Sequence, residues 1–235
     1  MRRLLAFSLI ALLVPATAHA DCNAEVNAAF EKQRKSGSFR MASTLVNERG
    51  LVQMTVEYVL PNKLHQVSKT LTDPNASEII LIGNQAWSSN GEGWKVMPDE
   101  LAEQLRDQMQ QTVVDPPKDP LHYTCGLDAE LNGRQMKLYE GTERDKKGNK
   151  AEGLPVRRLY IDAESGLPVR NEVAPVGKPD RPFFTANYTY PEAITIEPRR
   201  SVTTDKRPRG SRLDWPESPV RPDCKNRKHH PGRCN

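Results

Sequence analysis

The sequence lacks long hydrophobic runs and internal periodicity. Only one apolar run stands out, at the extreme N-terminus, and this excludes a multi-span membrane protein. No repeat, heptad or collagen-like period is present. Hydrophobic residues nevertheless make up 37% of the 235 residues, which is too many for a wholly disordered chain. The length suits one domain with appendages or two very small domains.

Catalytic signatures are also missing. The sequence contains no G-x-S-x-G, H-E-x-x-H or G-x-G-x-x-G motif and no Walker loop. His65 falls in an alternating segment and His122 lies beside Tyr123, so we interpret both histidines as surface or packing residues. We therefore predict a protein that is not an enzyme and that holds no cofactor or metal.

Residues 1–20 have the three parts of a secretory signal. They begin with two arginines, continue with an apolar stretch over 4–14 and end with a small-x-small cleavage site. The apolar stretch of about eleven residues is shorter than the ~20 that a membrane-spanning helix requires. Asp21 stands where a lipid-modified Cys22 would need a small residue. We therefore predict cleavage after Ala20 and a soluble exported protein.

The cysteines of an exported protein are expected to pair. Cys22, Cys125, Cys224 and Cys234 allow three connectivities. We predict Cys22–Cys125 within the globular part and Cys224–Cys234 near the C-terminus. Zinc binding by the terminal segment, through its two cysteines and the histidines at 229 and 230, is the alternative. We favour the disulfide, because adjacent histidines project in different directions.

The charge changes sign near residue 198. Residues 199–235 contain 11 Lys or Arg and 4 Asp or Glu, a net charge of +7, whereas residues 21–198 carry −5. The chain therefore divides into a signal, an acidic body (21–198) and a basic, proline-rich tail (199–235), which we expect to be extended or disordered. The tail either lies on an anionic membrane surface or merely keeps the protein soluble. Nucleic acid is not expected as a partner.

Two helices are predicted from hydrophobic periodicity. Residues 23–35 place Val26, Ala29 and Phe30 on one helical face. A second helix over 99–114 starts at Asp99, its expected N-cap, and is stopped by two prolines. The apolar residues spaced four apart in this second helix are Leu101, Leu105, Met109 and Val113.

In residues 51–60, Val52, Met54, Val56, Tyr58 and Leu60 alternate with the polar residues at 53, 55 and 57, which predicts a strand with one covered face. The other predicted strands are 39–48, 64–71, 78–82, 85–89, 94–96, 121–131, 135–141, 156–162, 167–173 and 183–190. So many consecutive strands with few helices predict a mainly β protein that also contains α-helix. We expect one curved antiparallel sheet, an incomplete β-barrel, with a helical lid over its concave side.

Several motifs carry a resemblance to a known family. They are VLPNKL at 59–64, the Gly83 turn before Trp87 and Trp94, and YID at 160–162 followed by GLPV at 166–169. Their order over about residues 23–192 resembles the periplasmic lipoprotein-carrier (LolA/LolB-like) superfamily. That resemblance implies a half-barrel whose hydrophobic cavity holds acyl chains of lipids or lipoproteins in the periplasm. The alternative is an envelope-stress sensing or interaction protein that uses the same scaffold without transporting a ligand.

An acyl-chain site needs a dry, apolar, concave surface. The residues predicted to line it are Met41, Met54, Val56, Tyr58, Ile80, Ile82, Trp87, Trp94, Leu101, Leu105 and Met109. Methionine suits such a cavity, because its flexible side chain adapts to different ligands. The alternative is that these residues fill an ordinary core and bind nothing. We expect the protein to be a monomer.

Overall fold

The computed structural model describes residues 21–48, 50–71, 75–117, 119–144 and 153–200. Within these ranges the helices are α1 (Cys22–Lys35) and α2 (Asp99–Met109), and α2 continues into a π-helical segment, Gln110–Val114. The strands are β1 (Ser38–Asn47), β2 (Gly50–Val59), β3 (Lys63–Thr70), β4 (Ser77–Ile82), β5 (Gln85–Ser89), β6 (Lys95–Val96), β7 (His122–Leu131), β8 (Arg134–Thr142), β9 (Val156–Asp162), β10 (Pro168–Ala174) and β11 (Phe184–Thr189).

The predicted signal at 1–20 and residues 201–235 of the predicted tail, with Cys224 and Cys234, lie outside the described residues. Within the described ranges, no helix is both long enough and apolar enough to cross a bilayer.

All eleven strands belong to one sheet with the order β6-β5-β4-β3-β2-β1-β11-β10-β9-β8-β7. Neighbouring strands pair antiparallel, so β1 and β11 meet in the middle while β6 and β7 form the two edges. The sheet is curved and does not close into a barrel. The predicted fold class, a mainly β protein with one antiparallel sheet and covering helices, is confirmed.

The hairpin between β7 and β8 shows how local sequence fixes the strand pairing. Asn132 and Gly133 have φ values of 55° and 76°. Positive φ at both central residues is the type I′ turn, which Asn-Gly adopts readily and which matches the twist of the strands. The turn places Leu131 opposite Arg134 and thereby sets the start of the β7–β8 pairing.

Helix α1 begins at Cys22, one residue before its predicted start. The Asp21 carboxylate accepts hydrogen bonds from the backbone N–H groups of Asn23 (3.1 Å) and Ala24 (3.2 Å), which caps the helix. The Cys22–Cys125 disulfide is present, as predicted, and ties the first turn of α1 to β7. Beside it, the Asn23 side chain donates to the Leu121 carbonyl (2.7 Å) and accepts from the Tyr123 N–H (3.0 Å). These contacts fix the position of α1 on the sheet.

Helix α2 corrects two details of the prediction. Its N-cap is Pro98 rather than Asp99, since the Pro98 carbonyl accepts from the N–H groups of Leu101 (3.1 Å) and Ala102 (3.0 Å). Leu101 is 46% exposed, whereas Ala102 is 1% exposed. Residues four apart differ by about 40° around a 3.6-residue helix, so the four predicted residues spread over about 120° and cannot all face one surface. The change to π-helix at Gln110 also alters the direction in which the side chains of the last turn point.

Three buried clusters make up the core. The first lies beneath α1 and joins Val26 and Ala29 to β7, β8 and β9. The second lies beneath α2 and joins Ala102 and Met109 to β2, β3, β4 and β5. The third lies on the opposite face of the sheet, where Ile196 packs on β4 and β5. Each helix therefore covers its own half of the same sheet face.

Candidate functional site

A cavity of about 780 Å³ lies between α1, the π-helical segment with the loop that follows it, and the sheet. It opens to solvent. The residues that line it are Asn27, Phe30, Glu31, Gln33, Arg34, Phe39, Met41, Tyr58, Gln111, Thr112, Val113, Pro116, Pro117, Asp119, Pro120, Arg157 and Tyr188. The volume falls within the ~300–1,000 Å³ that is typical of small-molecule sites.

Aromatic and sulfur-containing side chains of the central strands form the floor of the cavity. In the register of the sheet, Phe39 lies opposite Tyr58 and Met41 lies opposite Tyr188. The ring centroid of Phe39 is 4.8 Å from that of Tyr58 and 6.4 Å from that of Tyr188. Burial raises the pKa of Tyr58 to about 12, so its hydroxyl stays neutral at physiological pH. The floor is therefore apolar and uncharged.

The walls come from two helical segments that face each other. On α1 the lining residues include Asn27, Phe30 and Arg34, whose spacing of three and four places them on one helical face. On the other side, Val113 of the π-helical segment is half-buried against the cluster under α2. π-Helical turns are rare and occur frequently at functional sites. Here the turn borders the opening between the two helices.

One end of the cavity is polar. The Arg157 guanidinium forms an ion pair with Asp119 (2.5 Å) and donates through Nε to the Asn171 side-chain oxygen (3.0 Å). It also lies 5.5 Å from the Phe30 ring centroid. The Tyr123 hydroxyl donates to the same Asp119 oxygen (2.7 Å). Burial raises the pKa of Tyr123 and of Tyr188, so both hydroxyls remain neutral hydrogen-bonding groups.

The structure places the eleven predicted lining residues in four surroundings. Met41 and Tyr58 line the cavity. Four others belong to the packed cluster beneath α2, next to the cavity: Met54, Val56, Leu105 and Met109. Another four lie on the opposite sheet face, against Ile194 and Ile196: Ile80, Ile82, Trp87 and Trp94. Leu101 is exposed on α2.

The separation of these residues follows from strand geometry. Successive side chains of a strand point to opposite faces, so Leu81 lies under α2 while Ile80 lies on the other side of β4. Where both faces of a strand are apolar, as in β4, the sequence does not say which residue faces the helices. Ile194 and Ile196, which cover the opposite face, follow the last strand, and their alternation with Thr195 and Glu197 is too short to predict where they pack.

Several cavity residues were missed by the sequence analysis. Phe39 could have been found, because it shares the strand alternation of Met41. Tyr188 lies in a predicted strand but depends on the non-local pairing of β1 with β11. Arg157 and Asp119 carry no sequence signal, since their ion pair forms across 38 positions of the chain. Among the described residues, no group of three or more His, Cys, Asp or Glu is placed to hold a metal ion.

Comparison with known proteins gives similarity of fold only. No protein-family profile matches the chain, and no curated protein matches it. Among solved structures, LprF from Mycobacterium bovis is 14% identical with a TM-score of 0.50, covering 75% of this chain and 96% of its own. The Mycobacterium tuberculosis lipoprotein LppX is 12% identical with a TM-score of 0.50, covering 75% and 98%. A LolA superfamily protein from Nitrosomonas europaea is 10% identical with a TM-score of 0.28, covering 72% and 92%.

The expected fold, a curved sheet with covering helices, is shared with LprF and LppX, and this likeness concerns the fold alone. Identities of 12% and 14% carry no information about the ligand or its contacts. What the cavity binds has to be argued from its own residues.

Proposed function

We propose that this chain is a periplasmic binding or carrier protein for a hydrophobic ligand, either a lipid or the acyl chain of a lipoprotein. The observation that carries the proposal is the cavity of about 780 Å³ between the sheet and the helices, with its uncharged floor of Phe39, Met41, Tyr58 and Tyr188. A binding role, rather than a catalytic one, accounts for a site whose largest surface is apolar.

The energetics favour an acyl chain as the ligand. Each methylene that moves from water into the cavity contributes about 0.8 kcal/mol, so about ten buried methylenes correspond to micromolar affinity before the entropic costs of binding are subtracted. Met41 adapts to chains of different shape, because its thioether side chain has three rotatable bonds. Phe39 and Tyr58 add flat surface for the chain to lie on.

The packed cluster under α2 extends the proposal to longer ligands. Met54, Leu105 and Met109 pack next to the cavity but do not line it. A chain that enters deeper would reach them only if α2 moved away from the sheet. We therefore propose Met41 and Tyr58 as direct contacts and the α2 cluster as a second layer.

Two observations support an exported protein. The Cys22–Cys125 disulfide is of the kind that persists in oxidising compartments such as the periplasm. LppX, which shares the fold, is itself a lipoprotein. The secretory signal predicted at 1–20 is consistent with both.

A cavity-filling substitution tests the proposal. Val113→Trp adds an indole to the cavity wall, whereas Val176→Trp adds the same group at a site that is 47% exposed in the loop after β10. We expect the wild-type protein and Val176→Trp to bind a fluorescent lysophosphatidylcholine probe and Val113→Trp to bind it at least about tenfold more weakly. Lipid extracted from natively purified protein should be detected by mass spectrometry.

Two outcomes of these experiments would contradict the carrier proposal or its site. Wild-type protein that carries no lipid and does not bind the probe would refute the carrier proposal and favour an interaction protein on the same scaffold. Equal probe binding by Val113→Trp and Val176→Trp would show that the ligand does not occupy this cavity.

A further inference from the structure

We propose that Arg157 binds a carbonyl oxygen of the ligand, so that the cavity selects neutral acyl compounds over free fatty acids. This inference rests on the proposed function, since it assigns the polar group of a ligand held in the same cavity.

The position of Arg157 is unusual for a charged residue. It shares a strand face with Leu159 and Ile161, which are buried beneath α1. Only 24% of its side chain is exposed, and the side chain of its partner Asp119 is 16% exposed. A hydrophobic pair at such a place often gives equal or greater stability, because it avoids desolvating two charges. Stability alone therefore does not explain the ion pair.

Within the part of the chain that the structure describes, the Arg157 guanidinium does not use all of its N–H groups in hydrogen bonds. Of its five N–H groups, Nε–H donates to Asn171 and one Nη1–H donates to Asp119. The remaining N–H groups are available to a further acceptor. Because Arg157 lines the cavity, an oxygen atom of a bound ligand can act as that acceptor.

The charge at this end of the cavity decides which ligand atom fits. Asp119 already neutralises Arg157, and both of its oxygens are occupied. One accepts from the Leu121 N–H (3.0 Å), and the other accepts from Tyr123 and Arg157. A ligand carboxylate would place a second negative charge close to Asp119. A carbonyl oxygen accepts the same N–H groups without adding a charge.

The apolar surface begins directly beside the guanidinium. The Phe30 ring lies 5.5 Å away, and the floor of Phe39, Met41 and Tyr188 continues from there. An acyl group has the same order of parts, with its carbonyl at one end of the hydrocarbon chain. The geometry therefore places the carbonyl at Arg157 and the chain along the floor.

Ester-linked and ether-linked lysophosphatidylcholines of equal chain length test the inference, because they differ in the carbonyl at the chain linkage. We expect wild-type protein to bind the ester about tenfold more tightly than the ether, because the ester carbonyl accepts one more hydrogen bond from a charged donor. Both lipids are measured below their critical micelle concentrations. In Arg157→Met the difference should vanish. It should persist in Arg181→Met, a matched control whose arginine is 78% exposed.

Asp119→Asn supplies an independent measurement, because it removes the neutralising charge and keeps Arg157. We expect it to raise the affinity for the free fatty acid of the same chain length relative to the ester. Equal binding of ester and ether by wild-type protein would overturn the inference and leave the carrier proposal intact. Failure of wild-type protein to bind any of the three lipids would instead refute the carrier proposal. The comparison in wild-type protein needs no variant, so it holds even if Arg157→Met does not fold.

Discussion

Asp162, at the end of β9, offers a sharp test of the energetics of the sheet that carries Arg157. Its side chain is 2% exposed, yet it is charged. Oδ1 accepts from the backbone N–H of Ser165 (2.7 Å) and from the Ser165 hydroxyl (2.6 Å), while Oδ2 pairs with Arg134 (2.7 Å). These bonds close the turn between β9 and β10.

The substitution Asp162→Asn keeps the shape of the side chain and removes its charge. One oxygen remains to accept from Ser165, but an amide NH₂ group replaces the oxygen that faces Arg134. Hydrogen bonds to charged groups contribute about 1.5–3 kcal/mol, and the pair with the half-exposed Arg134 contributes less. We therefore expect Asp162→Asn to lower the free energy of unfolding by about 2 kcal/mol at neutral pH.

The pH dependence of the stability difference provides a second test of this prediction. Burial alone would raise the pKa of Asp162, but hydrogen bonds from Ser165 and the charge of Arg134 together hold it below its usual value of 3.8. A carboxylate with a lowered pKa stabilises the folded state above its unfolded pKa, and this contribution is lost as the pH falls through the folded pKa. The difference in stability between wild-type protein and Asp162→Asn should therefore shrink below pH 3.8.

Urea denaturation at a series of pH values measures the difference directly. Asp180→Asn is the matched control, because Asp180 is 79% exposed and its ion pair with Arg181 should contribute little. A stability difference between wild-type protein and Asp162→Asn that stays constant from neutral to acidic pH would refute the reasoning. Equal losses in the two variants would refute it as well.

Three further predictions concern other parts of the molecule. Gly141→Ala would place a Cβ 2.6 Å from the Tyr123 ring, so we expect a loss of about 1–3 kcal/mol in urea denaturation, and an unchanged midpoint would contradict it. The pKa of Tyr58 is about 12 in the folded protein and its usual value is 10, so wild-type protein should lose more stability than Tyr58→Phe as the pH rises from 10 to 12. Parallel losses in the two proteins would show that Tyr58 is not buried as described. Deletion of residues 199–235 should weaken cosedimentation with anionic vesicles but not with neutral ones, since each basic residue near such a surface contributes about 1 kcal/mol. Unchanged cosedimentation would show that the tail is not an anchor.

Local sequence signals predicted the elements well and their contacts poorly. Strands such as β2 and β5 appear within a residue of their predicted bounds, because alternation and turn residues act over a few positions. The Cys22–Cys125 disulfide also followed from simple pairing arguments. The pairing of β1 with β11 joins residues about 140 positions apart, and no local pattern encodes it. That pairing brings Tyr188 beside Met41 and so creates much of the cavity floor.

The origin of the cavity can be argued from how the helices divide the sheet. The buried cluster under α1 draws its sheet residues from β7, β8 and β9, and the cluster under α2 draws its own from β2, β3, β4 and β5. Among the described residues, β1 and β11 contribute no fully buried member to either cluster, although they lie in the middle of the sheet. Each helix is thus held to a different half, α1 by the Cys22–Cys125 disulfide and α2 by Ala102 and Met109. An opening above the central strands follows, because an eleven-stranded sheet is wider than two helices anchored in this way can cover.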